Sequence, residues 1–180
     1  DDYKIQADNT CAPFELVPCH TFITESTFGL PIYHWPPQED VFEQINDWWR
    51  VNQARGWNSI LLVYALGKAQ RILGGIDRGI GPILMHGAIV PLTEAYRQSG
   101  ADLPPAEKAT DDNAKDNKGR ALILAPPSAL ASPWIRKFKP YSSAMASGWM
   151  KIRGTRRRQS MDRGFVISDH ADWDGLLETI

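Results

Sequence analysis

Apolar positions along the chain fall into short continuous runs separated by stretches of helical period. Ser59 to Tyr64 (SILLVY), Pro82 to Met85 and Ala121 to Ala125 (ALILA) are runs of the buried-strand type. Thr21 to Thr24, Ser142 to Ser147 and Gly164 to Ile167 read as further strands. Val41, Phe42, Ile45, Trp48 and Trp49 recur at helical spacing, which predicts a helix from about Glu39 to Ala54, after Pro36-Pro37 and before Gly56. Gly67-Lys68 opens a second helix through Ile72 and Leu73, and Pro91 to Gln98 forms a third. Helical pattern returns from about Ala129 to Phe138 and in a closing segment from Trp173 to Thr179. Ala101 to Lys118, polar and charged with two prolines, reads as a surface loop. Strands alternating with helices of this length predict crossover units, hence an α/β fold with a mostly parallel sheet and flanking helices. In such sheets ligands meet the loops at the carboxyl ends of the strands.

Composition narrows the class. A chain of 180 residues with 43% hydrophobic and 23% charged residues is sized and balanced for one domain with a real core, which excludes a disordered or fibrous protein. No apolar run approaches the ~20 residues that span a bilayer, so no membrane association is expected. The opening Asp1-Asp2-Tyr3-Lys4 lacks the basic start and apolar stretch of a secretory signal, and the cytoplasm is the expected compartment. It also lacks an initiator Met, and the start is read as a cut. Cys11 and Cys19 read as free thiols, with a disulfide as the alternative; no CxxC spacing is present.

The net charge of -1 conceals a local asymmetry. From Arg136 to Arg163 the basic residues are Arg136, Lys137, Lys139, Lys151, Arg153, Arg156, Arg157, Arg158 and Arg163, opposed by Asp162 alone. Trp134, Tyr141 and Trp149 are interleaved with them. Phosphates neutralised by cations and bases stacked on rings fit a polyanion; a solvated face with core tryptophans is the other reading.

Polar chemistry follows several of the predicted strands. Glu25 follows Phe22-Ile23-Thr24, Lys68 follows the strand-to-helix turn, and Ser168-Asp169-His170-Ala171-Asp172 follows Gly164-Phe165-Val166-Ile167. A carboxylate that orients an imidazole and stabilises its charged form suits proton handling. The bland alternatives are a helix N-cap at Asp169 or Asp172 and a solvated Glu25. Lys68 at a helix start suits a phosphate, but the glycine spacing of a P-loop is absent, which leaves a solvated lysine as the alternative. His20, His34 and His86 show no metal-ligand spacing and read as structural.

These segments together resemble one family. Thr24-Glu25-Ser26-Thr27-Phe28-Gly29 is similar to the first signature of the β-CASP branch of metallo-β-lactamase-fold nucleases. Tyr64 to Gln70 (YALGKAQ) is similar to its strand-to-helix segment, and Ser168 to Asp172 to its Ser-x-His-x-Asp signature. Within the branch, FGLPIYHWP, ALGKAQRIL and FVISDHADW most resemble bacterial ligase-associated DNA exonucleases, whose relatives are often labelled mRNA 3′-end processing factors.

The resemblance implies roles. Asp2, preceded by Asp1 where the family has glycine, corresponds to an aspartate that bridges two zinc ions. Glu25 corresponds to the acid that orients a catalytic-site histidine, and His170 to that histidine. Lys68, Arg156, Arg157 and Arg158 are the expected nucleic-acid contacts. Residues 1–31 and 164–180 would belong to an αββα metallo-β-lactamase core, and 32–163 to a β-CASP cap. The family's HxHxDH motif occurs nowhere in these residues, so this chain alone is expected to be inactive. The implied parent is a zinc-dependent exonuclease acting on nucleic-acid ends in repair, on DNA more than RNA, with a functional link to a DNA ligase or helicase. An RNA 3′-end processing nuclease and a non-catalytic nucleic-acid-binding module are the rival readings.

Overall fold

A computed structural model describes residues 2–152 and 161–180. Six strands form one sheet: β1 (Asn58–Leu62), β2 (Ile83–Met85), β3 (Glu107–Lys108), β4 (Leu122–Ala125), β5 (Tyr141–Ala146) and β6 (Arg163–Phe165). Their order is β3-β2-β4-β1-β5-β6, and every neighbouring pair is parallel. The helices are α1 (Gln38–Ala54), α2 (Lys68–Gly75), α3 (Val90–Gln98), α4 (Asp111–Asp116) and α5 (Trp173–Glu178).

The direction of travel across the sheet fixes which face each connection covers. From β1 through α2 to β2, and through α3 to β3, the chain moves towards one edge. From β3 through α4 to β4, and on to β5, it moves back. Right-handed crossovers then place the outward and returning connections on opposite faces. The core shows this split. Leu61, Val63, Met85, Leu122, Leu124 and Ala144 point to the α1–α2 face, with Phe42, Ile45, Trp49 and Ile72. Ile60, Leu62, Leu84, Ile123 and Met145 point to the other face, with Ala114, Ile135 and Phe138. The period of 2 is strict, and burial on both sides explains why the strands read as continuous apolar runs.

The structure departs from the sequence pattern in three places. Thr21 to Thr24 is not a strand: among the described residues it pairs with no neighbour, and Phe22 and Ile23 are exposed. Apolar, β-prone residues form a strand only where a ladder partner is available. The segment from Ala101 to Lys118 is not a plain loop; it holds β3 and α4. A capping box starts α4: Thr110 Oγ1 accepts from Asn113 N at 3.2 Å, and Asn113 Oδ1 accepts from Thr110 N at 2.8 Å. Ala129 to Phe138 is not an α-helix but two 3-10 turns, Pro127–Ala131 and Pro133–Phe138. Pro133 removes a donor and blocks continuation between them.

The expected boundary between residues 163 and 164 falls inside β6, which pairs with β5, so the sheet continues across it. Cys11 and Cys19 are free and exposed. Among the described residues no helix is long and apolar enough to cross a membrane.

The α1–α2 approach is set by glycine: a Cβ on Gly75 would overlap the Phe42 ring. Gly75→Ala should therefore lower stability by about 1–3 kcal/mol. The midpoint of denaturant unfolding measures this, and adding Phe42→Leu should recover part of the loss.

Candidate functional site

Glu25 and His170, 145 residues apart, meet beyond the carboxyl end of β6. His170 Nδ1 lies 2.9 Å from Glu25 Oε2 and 3.1 Å from Oε1. An ionised carboxylate only accepts, so Nδ1 carries the proton and Nε2 is the nitrogen left for other chemistry. The Glu25 side chain is 7% exposed and that of His170 25%, so Glu25 is not the solvated acid of the bland reading. Burial opposes ionisation of Glu25. Hydrogen bonds from Thr27 and His170, and then the charge of His170, outweigh it and hold the carboxyl below its ordinary value.

Asp2 completes the group. Its Oδ1 is 3.7 Å from His170 Nδ1, its side chain is two-thirds exposed, and Asp2, Glu25 and His170 offer ligand atoms within 4.8 Å of one another. With Glu25 committed to Nδ1, Asp2 and His170 Nε2 are the donors that remain. A structural zinc takes about four protein ligands and a catalytic one about three. These residues therefore do not complete a two-zinc site.

Aromatic packing and backbone bonds hold His170 in place. Phe28, 2% exposed, packs edge-on against His170 with centroids 5.6 Å apart, and touches Tyr33, Trp35 and Trp149 at 4.8–4.9 Å. Trp35 Nε1 donates to His170 O at 2.9 Å, and Trp35 N donates to Asp172 Oδ2 at 2.8 Å. Trp173 N donates to Tyr33 O at 2.9 Å, and Ala171 N to Tyr3 O at 2.8 Å. Residues 33–35 and the start of the chain thus grip the turn that carries the imidazole. Asp172 caps α5, its Oδ1 accepting from Gly175 N at 3.1 Å. Nearby, His34 Nδ1 and Asp174 Oδ2 lie 2.8 Å apart on the surface.

Below this turn lies a buried polar network. Arg71, 1% exposed, donates from Nη1 to Ser168 O at 2.6 Å, and from Nε and Nη2 to Gln38 Oε1 at 3.2 and 3.1 Å. It also donates to Gln6 Oε1, and lies 3.6 Å from Asp8 and 3.7 Å from Asp169. Burial pulls its pKa down and Asp169 opposes that shift, yet a guanidinium stays charged. Lys68 joins the network: its Nζ is 3.4 Å from Asp169 Oδ2 and 4.9 Å from the centroid of Tyr64. Gly67, at φ +77°, makes the turn into α2 beneath Asp169. At 4% exposure Lys68 is not the solvated lysine of the sequence alternative; a phosphate reaching it would have to displace Asp169.

The structure thus brings together Asp2, Glu25 and His170, and sets Lys68 behind them. Arg156, Arg157 and Arg158 lie outside the described residues. Of the interleaved aromatics, Trp134 packs on His86 at 4.7 Å and on Phe138 at 4.8 Å, while Trp149 is exposed. Sequence reasoning missed Arg71, Phe28 and Trp35. A charged residue set against Ile72-Leu73 in a helix entering the core is the one available signal for Arg71. Nothing local marks the two rings.

No family model matches the chain. It is 28% identical over 179 residues, 99% of its length, to a probable DNA ligase of Opitutus terrae (strain DSM 11246 / JCM 15787 / PB90-1). The chain spans 17% of that relative's length.

Two outcomes test the site's construction. Arg71→Met strands buried acceptors and charges, and should cost about 3–5 kcal/mol in unfolding free energy. Because the folded pKa of Glu25 is depressed, its contribution to stability is present above the ordinary carboxylate range and is lost as pH falls through the lowered value. Glu25→Gln should accordingly flatten the acid limb of a melting-temperature profile against pH.

Proposed function

We propose that the chain is part of a metal-dependent nuclease of the β-CASP branch, hydrolysing phosphodiester bonds at nucleic-acid ends, with DNA as substrate. The observation that carries this reading is the Glu25 carboxylate on His170 Nδ1, with Asp2 beside it, at the carboxyl rim of a parallel sheet. The relative named as a probable DNA ligase supports DNA over RNA and action alongside a ligase. In this reading residues 32–163 form the cap, and residues 1–31 and 164–180 belong to the metal-binding core.

His170 acts as the general acid. Glu25 fixes the ring through Nδ1, and the Nε2–H of the imidazolium donates its proton to the oxygen leaving the cut phosphodiester. Phe28 and Trp35 keep that nitrogen aimed at one place. Asp2 serves as a metal ligand, the remaining ligands coming from beyond these residues. Two zinc ions, when bound in the complete enzyme, would supply an activated water and positive charge for the phosphate. Lys68 and Arg71 act indirectly, by holding Asp169 and the Ser168 carbonyl and so the turn that bears His170.

In the complete enzyme, His170→Ala should lower turnover by about 10²–10⁴-fold with bound zinc unchanged. Loss of zinc together with activity would make His170 a ligand and end its assignment as proton donor. Matched DNA and RNA strands digested side by side should show DNA cut faster; the opposite order would favour RNA 3′-end processing.

A further inference from the structure

The indole N–H groups of Trp48 and Trp49 are bonded inside the fold, to Ser142 Oγ and Arg120 O, whereas Phe22, Trp57, Tyr64 and Trp149 are exposed. Two of these exposed rings stand on the rim that carries His170. Tyr64, 52% exposed, follows β1 by two residues; Trp149, 42% exposed, follows β5 by three. β1 and β5 are adjacent and in register, Leu62 opposite Met145, so both residues lie just beyond the carboxyl ends of neighbouring strands about 4.8 Å apart, Trp149 in the 3-10 turn Gly148–Lys151. Trp149 packs on Phe28 at 4.8 Å, and Phe28 packs on His170 at 5.6 Å, so a single ring separates Trp149 from the imidazole.

A cation lies near each ring; of the two, Lys68 is buried against Asp169 and Lys151 is the one open to a phosphate. The Lys68 ammonium lies 4.9 Å from the Tyr64 centroid, so a planar ligand would take the other face. In the turn after Trp149, Lys151 Nζ donates to His34 O at 3.3 Å. Exposed aromatic faces beside positive charge are the two elements by which proteins hold unpaired nucleotides: bases stack on the rings and phosphates meet the cations. Bases of an intact duplex are already stacked on one another and gain nothing from such a surface.

Resting on the nuclease reading above, we propose that Tyr64 and Trp149 form a stacking platform that selects single-stranded ends and leads the terminal bases to His170. Tyr64 receives a base further along the strand, and Trp149 the base nearest the cut. They are positioning residues that determine strand preference, not chemistry.

The test measures fluorescence anisotropy of a labelled single-stranded DNA oligonucleotide on the full chain, in chelator without divalent ions, against a duplex of the same sequence. The single strand should bind more tightly than the duplex. Tyr64→Ala and Trp149→Ala should each weaken single-strand binding about 5- to 100-fold. Tyr64→Phe and Trp149→Phe should restore it. Trp57→Ala, an exposed ring at the amino end of β1 on the opposite rim, should leave it unchanged. An oligonucleotide with abasic sites near its end should bind the wild-type chain as weakly as the intact strand binds the alanine variants. Equal affinity for strand and duplex, or alanine variants that bind like the wild type, would overturn the platform. Because no metal is present, an absence of hydrolysis in the complete enzyme would leave this result untouched, and a failed platform would leave the hydrolysis reading untouched.

Discussion

A guanidinium held at 1% exposure must have every donor answered, and the groups that answer Arg71 come from parts of the chain that would otherwise have little reason to meet. Gln6 and Asp8 belong to the irregular N-terminal segment, Gln38 opens α1, Arg71 itself lies in α2, and Ser168 and Asp169 follow β6. Each is placed to satisfy that one cation. Lys4 strengthens the arrangement by pairing with Asp8, although burial and then the nearby Arg71 draw its own pKa down.

The geometry of the candidate site follows from this anchoring. With the Ser168 carbonyl and Asp169 held from below, the next residue, His170, leaves the sheet in a fixed direction. Trp35 and Phe28 then fix its backbone and ring from the side, and Glu25 fixes its tautomer. An imidazole with one nitrogen tied to a carboxylate presents the other in a fixed orientation.

The strands of the sheet were legible because both faces are covered, so that SILLVY and ALILA needed no alternation to announce themselves. The helices α1, α2 and α3 carried ordinary periodicity. Thr21 to Thr24 misled because an apolar run records the propensity for a strand and not the presence of a neighbour. The α4 segment was hidden by Pro104-Pro105 and its charges, although Thr110 and Asn113 at capping-box spacing offered a local sign. Glu25 and His170 were found through flanking motifs, and their contact required two segments to fold together. Lys68 shows the limit from the other direction: its place after a strand suggested an exposed cation, whereas its burial depends on Asp169, about a hundred positions away. Arg71 was overlooked for the same reason, since nothing in ALGKAQRIL names its partners.

Among the described residues, the two faces of the sheet are unequally clothed. One lies under α1, a helix of 17 residues, together with α2 and α3; the other lies under 3-10 turns of five and six residues and the six-residue α4. Short turns with few internal backbone bonds open more readily than a long packed helix. Amide exchange should therefore be graded through the molecule. The turns from Pro127 to Phe138 would exchange early, while β1, central in the sheet and buried on both faces, would hold its protons until the whole domain unfolds. The slow-exchanging strand is the one that leads, past Leu62, into the turn of Tyr64 and Gly67 that opens α2, so the rim beside the candidate site stands on the most persistent part of the fold.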